Sequence, residues 1–307
     1  MTAIPSIKQL RYLLAVVEHL NFTRAAQSCF VTQSTLSTGL KELEKVLGVK
    51  LVERDRQTVL ITPTGLEVAR RSRTIVAEVL DLVEHVVGAI TPMSGLLRLG
   101  VIPTIAPFVL PEAMKLLRKD YPELRVALRE DLTENLLVRL EDGRIDFALI
   151  ALPYATDQFH VESLFDDDLC VLGLKGDAAI EGPRITVTPS ITDRLLLLEE
   201  GHCLREHTLV ACGAANKSSS TAVEATSLLT LVQMIESGFG IGLVPAMAIK
   251  SGLAKNPQLV SRRIAKPGPK RTIALAARRS SSRMDDFQAL TAILTRCNPT
   301  SGQESRA

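Results

Sequence analysis

Apolar residues at Leu10, Leu13, Leu14, Val17 and Leu20 recur at helical spacing and predict a helix over Ile7–Leu20. Asn21 breaks that stripe and suits an N-cap for a short alanine-rich helix, Thr23–Ser28. Thr32 occupies the equivalent place before a third helix, whose Leu36, Leu40, Leu43 and Leu47 follow 4, 3 and 4 spacing until Gly48 closes it. Two helices joined by Cys29-Phe30-Val31 make a helix-turn-helix. Leu51–Thr62 reads as a hairpin with Glu53-Arg-Asp-Arg-Gln57 at its tip. From Thr64 to Ile90 there is no proline, predicting a rod of about 40 Å. Val76, Val79, Val83, Val86 and Ile90 give it a 3-4-3-4 seam for pairing with a second helix, most simply that of another copy. Thr91-Pro-Met-Ser-Gly95 breaks the rod and serves as the domain linker.

Beyond the linker the period alternates. Strands are expected at Leu96–Ile102, Leu124–Arg129, Phe147–Ala151, Leu169–Leu174, Leu195–Leu198, Ile241–Val244 and Thr272–Ala276. Helices are expected at Pro107–Lys119, Thr133–Glu141, Ser227–Ser237 and Met284–Leu294. This alternation implies βαβ units, a mostly parallel sheet, and two lobes with a cleft between them. Gly238-Phe-Gly-Ile-Gly242 follows a helix and precedes a strand, the reverse of a dinucleotide-binding turn, and reads as a loop entering a buried strand. Asp166-Asp167-Asp168 reads as a solvated turn at a strand boundary.

The 307 residues suffice for about two domains. A hydrophobic fraction of 46% without a run of eighteen apolar residues predicts no membrane span, and the N-terminus lacks a secretory signal pattern. Five cysteines without a dense framework fit a cytoplasmic chain kept reduced. The net charge of +2 hides an asymmetry: residues 1–75 carry eleven Lys/Arg against six Asp/Glu (+5), and the remainder twenty-five against twenty-eight (−3). A basic head on a mildly acidic body is compatible with nucleic-acid binding at one end.

The head offers suitable chemistry. A reading helix contacts bases with its N-terminal turns, and Gln33, Ser34, Thr35, Ser37, Thr38 and Lys41 lie opposite the leucine stripe. Arg54 and Arg56 suit phosphate contacts from a wing, although solvated hairpin charges explain them equally well. In the body, Gly201-His-Cys-Leu-Arg-Glu-His-Thr-Leu-Val-Ala-Cys212 sets two thiols nine positions apart. His202 and Arg205 next to Cys203 would lower its pKa and favour the reactive thiolate. If the segment is helical, nine residues rise about 13.5 Å, whereas a disulfide needs Cα atoms within roughly 7 Å. The pair is therefore either a switch coupled to refolding or two inert buried cysteines. Cys29, Cys170 and Cys297 read as inert, and no spacing suggests a zinc site.

Two runs resemble a known family. Asn21-Phe-Thr-Arg-Ala-Ala-Gln-Ser-Cys-Phe-Val-Thr-Gln-Ser-Thr-Leu-Ser37, followed by Leu43-Glu44, Leu47-Gly48 and Leu51-Val-Glu-Arg54, is similar to the winged helix-turn-helix of LysR-type transcriptional regulators. The resemblance covers nearly the whole chain. It implies a winged helix-turn-helix over 1–62, a linker and dimerisation helix over 63–91, and a two-lobed α/β regulatory domain of periplasmic-binding-protein type over 92–307. Lobe I would take about 92–168 and 270–307, and lobe II about 169–269. It further implies homotetramers, dimers of dimers, on promoter DNA, with RNA polymerase as a further partner.

Leu-Glu-Glu-Gly-His202-Cys203-Leu-Arg205 with Cys212, and Ala225-Thr226-Ser227-Leu228, resemble the hydrogen-peroxide-sensing members of that family. By that resemblance Cys203 is the peroxidatic cysteine, oxidised to a sulfenic acid, and Cys212 resolves it as a disulfide. Thr104, Thr133, His202, Arg205 and Arg271 would complete the peroxide pocket, and a cellular thiol reductant would reset the switch that controls oxidative-stress defence genes. Glu206 departs from the aspartate usual after the arginine. Neither cofactor, metal nor enzymatic turnover is implied. The rivals are a LysR-type regulator answering a small organic effector in the cleft, a thiol peroxidase, and a two-lobed transport protein.

Overall fold

The computed structural model describes residues 4–54, 59–88, 92–213, 224–265 and 268–299. The chain divides into two units near residue 90. In the first, helices α1 (Ile7–His19), α2 (Phe22–Ser28) and α3 (Gln33–Leu47) are each capped by the residue before them. Asn21 accepts from the amides of Thr23 and Arg24, and Thr32 from Thr35, which satisfies donors the helix itself leaves unpaired. Gly48, at φ +71°, ends α3 in the left-handed conformation that glycine adopts without strain. Leu13, Val16, Leu36, Leu40 and Leu43 form the core of this unit. Strands β1 (Val52–Arg54) and β2 (Val59–Ile61) pair antiparallel, and α4 spans Pro63–Gly88. In the expected seam of α4, Val76 and Val79 are half-buried, whereas the side chains of Val83 and Val86, and Ile90 entirely, lie outside the described residues.

The buried Glu44 of α3 fixes the hairpin to that helix. Its carboxylate accepts from the amides of Leu51 (2.9 Å) and Val52 (3.3 Å) and from Lys50 Nζ (3.1 Å). Burial alone would raise its pKa; the two amides and the ammonium outweigh that and hold it below the usual carboxylate range.

The second unit runs β3 (Gly95–Val101), α5 (Ala106–Asp120), β4 (Leu124–Glu130), α6 (Thr133–Glu141), β5 (Phe147–Leu152) and β6 (Phe159–Leu174). After these come β7 (Arg184–Ile185), α7 (Pro189–Thr192), β8 (Leu197–Leu198), α8 (Cys203–Ala211), β9 (Glu224–Ala225) and α9 (Leu228–Glu236). The chain continues with β10 (Gly242–Pro245), α10 (Ala246–Lys250), β11 (Leu259–Ile264), β12 (Lys270–Arg278) and α11 (Met284–Arg296). The first half of the sheet is ordered β4-β3-β5-β12-β6, parallel except for β12, which returns antiparallel between β5 and β6.

Strand β6 is longer than a single sheet needs. Phe159–Asp168 pairs with β12, and the strand then continues over Leu169–Leu174 to pair with β10 and β11. Two apolar cores follow from this continuation. One gathers Leu97, Leu99, Val101, Phe147, Phe287 and Leu290, the other Val171, Leu172, Leu197, Ile235, Ile241 and Leu243.

The reading of Asp166-Asp167-Asp168 as a solvated turn is wrong. The triplet lies inside β6, opposite Lys270–Thr272 of β12. Strand side chains alternate between faces. Asp166 points outward to Lys270 and Thr272, whereas Asp167 is fully buried against its register partner Arg271.

Candidate functional site

Helix α8 begins after a turn through Gly201, whose φ of +90° and close approach to Leu132 exclude a side chain there without strain. His202 is the N-cap residue and Cys203 the first residue of the helix. The two thiols sit at opposite ends of α8 and in different cores. Cys203, 6% exposed, packs with the first core, while Leu204 and the C-cap residue Cys212 pack with the second. With the segment helical, their Cα atoms are separated by about 13.5 Å of rise, against the roughly 7 Å limit for a disulfide.

Around Cys203 the structure gathers Thr133, Arg271 and, through Arg271, Thr104. The Thr133 hydroxyl is buried without a hydrogen-bond partner and lies close enough to the sulfur to favour its ionised form. Arg271 donates from Nε to Asp167 Oδ2 (3.0 Å), from Nη1 to Thr104 Oγ1 (2.8 Å) and from Nη2 to the Thr104 carbonyl (3.0 Å). Asp167 Oδ1 accepts from the Met247 amide at the start of α10 (3.1 Å). One guanidinium thereby joins β12, β6 and the loop before α5, and its partner carboxylate adds α10.

The expected activation of the thiol needs two corrections. Burial pushes Cys203 up from its ordinary value; Arg271, Thr133 and the helix-terminal amides of Cys203 and Leu204 oppose this without reversing it. The resting group is a thiol. Second, Arg205 is turned away. It is buried with Nη1 donating to the Leu198 carbonyl and to Glu224 Oε1, each at 2.8 Å. His202 is drawn toward its neutral form by burial, against the opposing influence of Glu199 and the Thr226 carbonyl, so it supplies no resident cation. At the far end of α8, burial pushes Cys212 to about 11, and does the same to Cys170 in β6.

Sequence reasoning misses two groups near the thiol. Tyr154, after β5, is raised first by its own burial and then by the charge of Glu134, and it stands near enough to sense Cys203 when that thiol ionises. His207 lies one turn along α8 from Cys203, with both ring nitrogens buried and unpartnered. Residues four apart on a helix share a face, so the spacing alone would have found it.

In the first unit, Gln33, Ser34, Thr35, Thr38 and Lys41 of α3 are exposed and Ser37 is half-buried. Thr32 binds both Ser34 and Thr35 through its hydroxyl, and Thr23 Oγ1 donates to Gln33 Oε1 (3.2 Å), ordering the first turn of the helix. Ser37 and Lys41 border a shallow groove closed by Glu44, Lys50 and Val52. The side chain of Arg54, and Arg56 entirely, lie outside the described residues. Among the described residues no group of three or more His, Cys, Asp or Glu is placed to hold a metal ion, and no helix is long and apolar enough to cross a membrane.

Comparison with known proteins covers both units. The family model of the bacterial regulatory helix-turn-helix protein, lysR family, matches residues 7–66, and that of the LysR substrate binding domain matches residues 91–297. The chain is 40% identical over 301 residues to the HTH-type transcriptional regulator EstR of Acinetobacter baylyi, covering 98% of this chain and 99% of that one. It is 39% identical to the probable hydrogen peroxide-inducible genes activator of Streptomyces viridosporus, over 94% and 93% of the two chains. Among solved structures, a full-length cysteine-to-aspartate variant of OxyR from Pseudomonas aeruginosa superposes with a TM-score of 0.78 at 29% identity, covering 99% of both chains.

Proposed function

This chain belongs to the LysR family of bacterial transcriptional regulators, and from that premise we propose that it senses hydrogen peroxide through Cys203 and Cys212 and so controls oxidative-stress defence genes. The observation that carries the reading is the placement of the two thiols. They stand at the two ends of one nine-residue helix, one in each core, and Cys203 lies beside Thr133 and within the field of Arg271.

The chemistry follows from that setting. Cys203 loses its proton, and its sulfur attacks one peroxide oxygen. The O–O bond breaks, sulfur is oxidised to a sulfenic acid, and the second oxygen leaves as water. Thr133, Thr104 and Arg271 supply hydrogen bonding and positive charge for the departing oxygen. Cys212 then attacks the sulfenic sulfur, a second water leaves, and the disulfide forms. It can close only if α8 gives up its helical geometry, which carries the change into the packing of both cores. A cellular thiol reductant restores the dithiol by exchange.

The remaining assignments belong to the same reading. Residues 1–62 read promoter DNA through Gln33, Ser34, Thr35, Ser37, Thr38 and Lys41, with Arg54 and Arg56 on phosphates. Residues 63–91 pair subunits, residues 92–307 sense peroxide, and the working assembly is a homotetramer that meets RNA polymerase in the cytoplasm. Cys203→Ser should abolish the peroxide response of a promoter reporter while leaving operator binding intact. A mutant that still switches, or a wild-type chain in which mass spectrometry finds neither sulfenic acid nor disulfide after mild peroxide, overturns the proposal.

A second reading is a small organic effector bound between the cores, with both thiols acting as inert, buried apolar groups. Free-thiol titration before and after peroxide separates the two, because an effector-driven regulator keeps both thiols.

A further inference from the structure

Peroxide chemistry at Cys203 needs somewhere for the thiol proton to go, and the site as described so far provides no base. Arg271 is a cation already bound to Asp167 and Thr104. Asp167 is buried beneath that guanidinium, and Thr133 is a hydroxyl. His202 precedes Cys203 as the N-cap, and the carbonyl it meets is that of Thr226, on the second-core side of the helix.

His207 differs in each respect. It stands four residues after Cys203 on the same face of α8. Both ring nitrogens are buried and lack a hydrogen-bond partner among the described residues. The Pro153 carbonyl is close enough to favour the protonated ring, the smallest of three influences on it, and leaves at least one ring nitrogen open. The positive charge of Arg271 acts on His207 and on Cys203 alike, which puts the imidazole and the thiol in one electrostatic neighbourhood. Buried polar atoms are rarely left unpaired, and those that are call for an explanation such as a chemical role.

The geometry points to His207 as the base that takes the Cys203 proton as peroxide is attacked and returns it to the departing oxygen. The inference rests on the peroxide reading above. The step balances: S–H breaks as N–H forms, S–O forms as O–O breaks, and the imidazolium proton converts the leaving hydroxide to water. Sulfur is oxidised and peroxide reduced, with no other reactant. Burial and Arg271 hold His207 below its usual value, so at neutral pH the ring is the free base the step requires. The other ionisable or charged groups around this face are Arg271 on β12, Asp167 on β6, Glu134 on α6 and Tyr154 after β5, with Glu206 on α8 itself.

The test is the rate of sulfenic-acid formation at Cys203 in the full-length protein, carrying Cys212→Ser so that the product accumulates. Hydrogen peroxide is the probe, and the rate is followed from pH 5.5 to 9. With His207 present, the rate should be flat near neutrality and fall toward acid as the imidazole is protonated. His207→Gln, similar in size and polar, should be about 100-fold slower at pH 7 and should gain tenfold per pH unit as solvent hydroxide replaces the base. His160→Gln, at an exposed ring on β6, should keep the wild-type profile. A His207→Gln variant with an unchanged rate and profile overturns the assignment. A His207-containing protein whose rate climbs tenfold per unit through neutrality also overturns it, and that result needs no second variant to fold. If that protein forms no sulfenic acid at any pH, the peroxide reading itself fails.

Discussion

Glu224 offers a quantitative handle on the proposed Cys203–Cys212 switch. Its carboxylate receives Arg205 Nη1 at 2.8 Å, and Arg205 lies inside the helical interval that a Cys203–Cys212 disulfide must collapse. Shortening about 13.5 Å of helix to less than roughly 7 Å cannot leave Arg205 in place, so the pair belongs to the dithiol form. Arg205 is 6% exposed and Glu224 29%, which sets the pair between a surface salt bridge and a buried one. A contribution of about 1 kcal/mol is the appropriate scale. Removing it destabilises the dithiol relative to the disulfide. For a two-electron couple about 1 kcal/mol corresponds to about 20 mV, and the shift is toward more negative potential. Glu224→Ala should therefore be about 80% oxidised in the buffer that holds wild type at half. Equilibration in thiol–disulfide buffers, followed by mass tagging of free thiols, measures this fraction. Glu181→Ala, an exposed acid elsewhere, serves as control. An unchanged or less negative potential for Glu224→Ala would show that the pair survives oxidation, refuting the collapse of α8 as the structural step.

Asp167→Ala should destabilise the chain by about 3–5 kcal/mol, because it leaves the Arg271 guanidinium buried with its charge uncompensated; urea unfolding measures it, and a loss below about 1 kcal/mol would contradict the buried pairing. Glu44→Gln should cost about 1–3 kcal/mol near pH 7 by weakening the tie to the hairpin amides. Since the folded carboxyl titrates lower than the unfolded one, this contribution is present above about pH 4.3 and is lost as pH falls through the depressed folded value. The wild-type advantage in urea should hold steady from pH 7 to 5 and narrow below. Cys212 and Cys170, pushed to about 11, should alkylate at least about 300-fold more slowly at pH 7.5 than an unperturbed thiol and speed up tenfold per pH unit; peptide mass mapping that finds Cys212 among the fastest-labelled positions would refute its burial.

The caps and stripes of the first three helices were legible because each is a local property. Asn21, Thr32 and Gly48 do in the structure what their chemistry favours in any helix. Asp167 was not legible, because a run of three acids suppresses every local measure of burial. The compensating Arg271 lies 104 residues away, in the opposite register of β12. Arg205 misled for a different reason: nearness in sequence is not nearness on a helix. Two residues turn α8 by about 200°, carrying Arg205 to the side away from the thiol, whereas four residues bring His207 back to it. The raised pKa of Cys203 was also hidden, since cationic neighbours are visible in a sequence and the desolvation that outweighs them is not.

The first core is sealed by a sulfur atom that is carried by a helix rooted in the second. If that sulfur leaves to meet Cys212, the surrounding hydrocarbon keeps a vacancy about the size of a methylthiol group, too small to refill completely and lined by atoms that have lost their contacts. The disulfide form then has the larger molar volume, unless the first core closes up behind the departing side chain. Hydrostatic pressure, which disfavours internal voids, would on this account push the chain toward its dithiol form. The redox state of this regulator and its molar volume would then be two expressions of one displaced atom.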